Sequence, residues 1–184
     1  MHVNRQTGWI EGVTHHVSPN FDARPEKEKI DLLVIHGISL PPGEYGGSWI
    51  SDLFCNTLDC DAHPYFDGLR GLKVSSHVLI RRDGEVIQYV SLNDRAWHAG
   101  VSHFEGRERC NDFSIGIELE GEDTRLYTDQ QYQSLIELSQ KILNKYSEID
   151  ISRIKGHCDI APGRKTDPGE AFDWQRYLDG IERA

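Results

Sequence analysis

Leu32-Leu33-Val34-Ile35-His36, followed by Ser39-Leu40-Pro41-Pro42-Gly43, is the stretch on which the fold reading turns. Four consecutive large apolar residues without alternation read as a short strand buried on both faces. Pro-Pro-Gly then stops any regular element, and the histidine sits where the strand runs out. Working outward, Ser48–Leu58 reads as a helix capped by Ser48, with Trp49, Ile50, Leu53 and Phe54 on one face. Val74–Ile80 and Glu85–Val90 flank Arg82-Asp83-Gly84, a strong hairpin signal. Phe113–Leu119 alternates large apolar with small or polar residues, which predicts a strand with one buried face. Thr128-Asp129-Gln130-Gln131 has the form of a capping box, opening a helix with Tyr132, Leu135, Ile136, Ile142, Leu143 and Tyr146 at helical spacing. A further strand at Ile154–His157 and a short helix from Asp173 complete the pattern. Strands before, between and after helices predict a single α/β domain, a central mixed β-sheet flanked by helices, over residues 30–184. The polar, irregular residues 1–29 are expected as an N-terminal extension packed on that domain.

The chain has 184 residues and carries 20 Lys+Arg against 30 Asp+Glu, a formal net charge of −10. A chain this long buries about 70% of its unfolded surface and needs no disulfide or structural metal to fold. The acidic balance argues against nucleic acid as a partner, because no basic field draws in phosphates. The longest strongly apolar run, Leu32–Ile35, is far below the roughly 20 residues of a membrane span. Met1–Val13 leaves no room for a secretory apolar region, so a cytoplasmic location without a membrane partner is expected. Cys55, Cys60, Cys110 and Cys158 form no C-x-x-C pair and read as reduced thiols. Cys158 adjoins His157, but neighbours on extended chain point to opposite faces, which disfavours a Cys–His nucleophilic pair.

Nine histidines cannot be sorted by number. His36 closes the apolar strand, at the end where α/β sheets present their sites. His157 lies in Lys155-Gly156-His157-Cys158-Asp159, and Asp167 in Arg164-Lys165-Thr166-Asp167-Pro168-Gly169. Singly, each has an ordinary reading: a satisfied core histidine, or a turn-forming Asp-Pro-Gly. Together, two neutral imidazoles and a carboxylate are the protein ligands of a hydrolytic zinc site with an open fourth position. They are equally the facial triad of Fe(II) oxygenases. On local grounds His77, His98 and His103 compete as ligands. Glu118 on its apolar strand is either a paired structural charge or a general base. Lys165 is either solvated or aimed, with Asp167, at a developing oxyanion.

Longer runs carry a resemblance. Val34-Ile35-His36, Ile38–Gly43, Asp61-Ala62-His63-Pro64-Tyr65-Phe66, Ser75-Ser76-His77, Ile80–Gly84, Ala96-Trp97-His98-Ala99-Gly100, Gly106–Gly121, Gly156-His157 and Arg164–Gly169 resemble the AmpD-type N-acetylmuramoyl-L-alanine amidases, from about residue 9 to residue 174. The resemblance implies the fold of these amidases, of phage T7-type lysozymes and of peptidoglycan recognition proteins. It implies one Zn²⁺ held by His36, His157 and Asp167, Glu118 as general base and Lys165 as oxyanion stabiliser. The implied substrate is a soluble anhydromuropeptide from cell-wall recycling, cut between the lactyl group of the anhydromuramyl sugar and L-alanine. Arg109 matches an arginine expected to clamp a stem-peptide carboxylate, and Trp97 an aromatic platform of the cleft. Lys73 stands where arginine is expected, keeping charge without bidentate geometry. Gly37 replaces an expected polar residue. A monomer is expected. A binding-only module on the same fold would lack metal or base positions, and this chain retains all five.

Overall fold

In the computed structural model, which describes residues 1–183, the apolar run of the opening stretch becomes the strand Leu32–Ile38. The central sheet has six strands: β1 (Thr14–His15), β2 (Leu32–Ile38), β3 (Val78–Ile80), β4 (Val86–Gln88), β5 (Ser114–Glu120) and β6 (Ile154–Gly156). Their spatial order is β6-β2-β5-β3-β4-β1. All neighbours are parallel except the β3–β4 hairpin, so the sheet is mixed, as expected. The helices are α1 (Trp49–Phe54), α2 (Asp129–Lys145), α3 (His157–Ile160) and α4 (Trp174–Glu182).

One face of the sheet is pure core. Leu33 and Ile35 of β2 and Ile115, Ile117 and Leu119 of β5 pack against Leu135, Leu138 and Ile142 of α2 and Tyr177 of α4. Thr128 and Gln131 close the expected capping box: the Gln131 amide donates to Thr128 Oγ1 and the Thr128 amide to Gln131 Oε1, both at 3.1 Å. The Gln131 side chain then donates to the carbonyls of Ile80 and Glu120, welding α2 to β3 and β5.

The other face departs from expectation. Alternation in Phe113–Leu119 predicted one solvated face, yet every residue of β5 is buried. Ser114 and Gly116 are small because another layer lies on them, the segment Trp97–Asn111. A Cβ on Gly116 would come within 2.6 Å of the His98 ring. Beside this segment, α1 packs Ile50, Leu53 and Phe54 against Leu79 of β3 and Ile87 of β4. The helix stops at Phe54, short of the expected Leu58, where Asn56 takes a left-handed conformation with φ of 61°.

Residues 1–29 are more deeply built in than an extension packed on the surface. They supply the edge strand β1, and Val3 and Ile10 join the main core. Half-buried Arg24 donates to the carbonyls of Leu92, Asn93, Asn111, Asp112 and Ser114. No helix among the described residues is long and apolar enough to cross a membrane.

Because Ile117 is fully buried at the centre of β5, Ile117→Ala should cost about 2–5 kcal/mol through lost transfer energy and a residual cavity. Urea unfolding followed by circular dichroism should show a lower midpoint with an unchanged slope.

Candidate active site

Strand register assembles the site. His36 on β2 is the register partner of Glu118 on β5, and Gly156 of β6 pairs with Ile35, so His157 emerges beside them. Side chains at 32, 34 and 36 and at 114, 116 and 118 point to the same face. Asp167 comes from the loop after α3. That loop is tied down by Cys158 N donating to Asp167 O at 3.0 Å and by the buried Tyr127 hydroxyl donating to Pro168 O at 2.9 Å. Gly169, at φ of 82°, permits a close approach: a Cβ there would lie 2.1 Å from Asp123 Cα. Gly37 leaves room for the same tyrosine, since a Cβ at 37 would sit 2.5 Å from the Tyr127 hydroxyl.

Three donor atoms converge. His36 Nδ1 is 2.9 Å from His157 Nδ1 and 3.3 Å from Asp167 Oδ2, and His157 Nδ1 is 3.0 Å from that same oxygen. Tetrahedral coordination with bonds of about 2.0–2.1 Å puts neighbouring donors roughly 3.3 Å apart, so this trio fits a tetrahedral divalent cation with one position left open. Among the described residues it is the group of histidines and acids able to hold a metal ion.

Glu118 lies against this trio, its Oε1 4.0 Å from His36 Nδ1. Its Oε2 is buried without a hydrogen-bond partner, a condition shared among the described residues only by the Tyr45 hydroxyl. Burial, reinforced by the Asp167 charge and opposed by Lys165, pushes the Glu118 carboxyl well above its usual range. Asp167 goes the other way. Burial alone would raise it, but the close approach of the His157 and His36 rings holds it far below the carboxylate range. Burial brings His36 down to about 4, so its imidazole is neutral, the form that ligates metals. Two carboxylates pushed apart in this way make one a permanent anion and the other a proton carrier.

A cavity of about 250 Å³ opens onto the trio, walled by Leu53, Tyr65, Leu72 and Trp97 and bearing Glu118 and Lys165. The Trp97 indole donates to Asp22 Oδ1 at 3.2 Å, which fixes the ring. Arg109 lies outside the cavity, largely exposed in a neighbouring depression with Ser102 and Arg164, its Nε 3.3 Å from Asp112. Lys73 lies outside it too, in a depression beside Leu58 and Leu69. Of the competing histidines, His103 is on the surface, His77 is enclosed beneath Arg24, and His98 stands directly behind His36 with its Nδ1 2.9 Å from His36 Nε2. Sequence reasoning left His98 as a rival ligand and passed over Tyr127. What distinguishes them is which ring nitrogen or hydroxyl meets which partner, and spacing carries no trace of that.

The family model for N-acetylmuramoyl-L-alanine amidase matches residues 26–170. The chain is 58% identical over 172 residues to the 1,6-anhydro-N-acetylmuramyl-L-alanine amidase AmpD of Escherichia coli K12, covering 94% of this chain and 93% of that one. It belongs to the AmpD-type N-acetylmuramoyl-L-alanine amidases. A crystal structure of a selenomethionine AmpD derivative superposes on this amidase with a TM-score of 0.95 at 55% identity, covering 98% of this chain and 99% of that one. The E. coli amidase AmiD, in complex with its substrate anhydro-N-acetylmuramic acid-L-Ala-D-γ-Glu-L-Lys, gives a TM-score of 0.59 at 28% identity, over 94% of this chain and 60% of that one. The mixed sheet flanked by helices is therefore the amidase fold that the resemblance implied.

The enclosed histidine of this amidase sets a pH response. His77 Nδ1 accepts from the Gly116 amide at 3.0 Å and its Nε2 donates to Asp94 O at 3.1 Å. Burial, aided by the Arg24 charge, lowers it from 6.5 to about 3. Between those values the unfolded chain binds the proton and the folded one does not. The stabilisation is thus complete above pH 6.5 and falls by about 1.4 kcal/mol per pH unit on acidification towards 3. Urea midpoints should drop between pH 6.5 and 5 while the His77 ring keeps neutral-imidazole NMR shifts; a His77 titration midpoint near 6.5 would contradict this.

Proposed function

We propose that this amidase is zinc-dependent and hydrolyses the amide between the lactyl group of 1,6-anhydro-N-acetylmuramic acid and L-alanine of the stem peptide, acting in the cytoplasm on soluble products of wall turnover. The observation that carries the reading is the unpartnered, buried Glu118 carboxyl beside two histidines and an aspartate whose donors converge on one point. A buried carboxylate without a partner is costly in a merely structural role. The names of the E. coli AmpD and of the AmiD complex support the substrate class.

Zinc held by His36, His157 and Asp167 supplies Lewis acidity towards a carbonyl and a water. Glu118 takes a proton from the water that attacks the lactyl carbonyl, and its raised affinity for protons suits that task near neutral pH. As the carbon–nitrogen bond breaks, Glu118 passes the proton to the departing amine of L-alanine, leaving a carboxylate on the lactyl group. Lys165, bordering the same cavity, offsets charge developing on the carbonyl oxygen. No residue forms a covalent intermediate. Trp97 and Tyr65 give the substrate an apolar wall. Arg109, on the adjoining depression, is assigned to a stem-peptide carboxylate, and Lys73 to a single-point charge contact at the far rim.

Incubating the protein with an anhydromuramyl tripeptide should release free tripeptide, detected by mass spectrometry. Release should stop on chelation and return with zinc; a folded, zinc-loaded sample that releases nothing would overturn the reading in favour of a binding-only module. Restoration by iron and not zinc would overturn the metal assignment. Glu118→Ala should lower kcat by about 10²–10⁴ while zinc stoichiometry is retained. Lys165→Ala should lower kcat by about 10²–10³ with a smaller change in KM.

A further inference from the structure

The segment Trp97-His98-Ala99 touches both histidines of the converging trio, each at the ring nitrogen that faces away from it. His36 Nε2 lies 2.9 Å from His98 Nδ1, and His98 Nε2 lies 3.1 Å from Ser114 Oγ. His157 Nε2 lies 3.2 Å from the Ala99 carbonyl. A single atom braces the segment from behind: Asn111 Oδ1 accepts from the His98 amide at 3.1 Å and the Ala99 amide at 2.8 Å. Arg164 donates to the same Ala99 carbonyl at 2.6 Å, holding it in place.

Metal ligation through Nδ1 of both histidines selects one arrangement of protons among these contacts. For His36 to offer a lone pair at Nδ1, where His157 and Asp167 converge, its proton must sit on Nε2. The acceptor there is His98 Nδ1, so His98 must carry its own proton on Nε2, which it donates to Ser114. By the same logic the Ala99 carbonyl keeps the His157 proton on Nε2 and frees Nδ1. Gly116 is what allows the His98 ring to lie flat on β5, since any Cβ there would strike it.

We infer that His98 is a positioning residue, which fixes the tautomer and ring orientation of His36 for metal binding while the adjoining Ala99 carbonyl does the same for His157, with Asn111 bracing both. The inference rests on the reading of His36, His157 and Asp167 as zinc ligands. Partners behind a ligating histidine typically alter metal affinity by about 10–100-fold. The neutral imidazole of His98 differs from the carboxylate or carbonyl usual in that position, and it orients His36 without adding negative charge to the centre.

The test measures zinc affinity by competition with a chromophoric chelator and histidine tautomers by long-range ¹⁵N–¹H correlation. In the wild type, with and without zinc, His36 and His98 should both be Nε2–H. His98→Leu should bind zinc about 10–100-fold more weakly. His98→Asn, whose side-chain carbonyl can accept where Nδ1 did, should recover most of that loss. Wild-type affinity in His98→Leu, or His98→Asn as weak as His98→Leu, would overturn the inference and leave the zinc reading standing. Failure of the wild type to bind zinc would remove both. Should the leucine variant not fold, an Nδ1–H tautomer of His36 in the wild type would by itself overturn the inference.

Discussion

Seven consecutive residue pairs in parallel register join β2 to β5, from Ser114 opposite Leu32 to Glu120 opposite Ile38, and the site depends on that ladder. Register decides that His36 faces Glu118 and that both point away from α2. A slip of one residue would turn Glu118 into the aliphatic core and Ile117 into the cavity. Burial defends the register: on the helix side Leu33, Ile35, Ile115, Ile117 and Leu119 all lose essentially all contact with water. The hydrophobic energy of one face therefore fixes the chemistry of the other. The two faces behave as foundation and site, and β6 extends the plan by delivering His157 one residue beyond its pairing with Ile35.

The polar face is assembled from groups that would be costly alone. Asp167 is held towards its anionic form by the adjoining His157 and His36 rings, while the proton affinity of Glu118 is raised because burial and the Asp167 charge disfavour ionisation. Tyr127, enclosed under Gly37 and Gly121, bonds the Asp167–Pro168 turn to the layer beneath the sheet. Two glycines thus make room for one phenol, and the phenol sets the height of the third donor. This accounts for Gly37: a side chain there would compete with Tyr127 for one space, whatever it offered a substrate.

Periodicity made the sheet and α2 legible, because their energetics are local or repeat along the chain. The capping box at Thr128 and the turn at Asp83-Gly84 are written in adjacent residues. The converging trio is another matter: His36 and His157 are 121 positions apart, and Asp167 lies ten beyond His157 on irregular chain. Only the resemblance, carried by long runs of identical type, chose them from nine histidines. Ser114 and Gly116 misled because a small residue reads the same whether it faces water or a ring pressed against it. Residues 1–29 misled for a related reason. A two-residue strand has no period, and a solitary Ile10 or Arg24 does not announce that the interior has a place for it.

Arg24 has the widest reach of these. Its guanidinium gathers five main-chain oxygens from two stretches, Leu92–Asn93 and Asn111–Ser114. The second stretch contains Asn111, whose side chain braces His98 and Ala99. The family match begins at residue 26, two positions after this arginine. A fragment cut to that boundary would take the guanidinium away from five part-buried main-chain oxygens, next to the loop on which the site leans. For anyone designing truncations, fusions or circular permutants, the working unit begins before the segment that the family model matches, and Arg24 is its cornerstone.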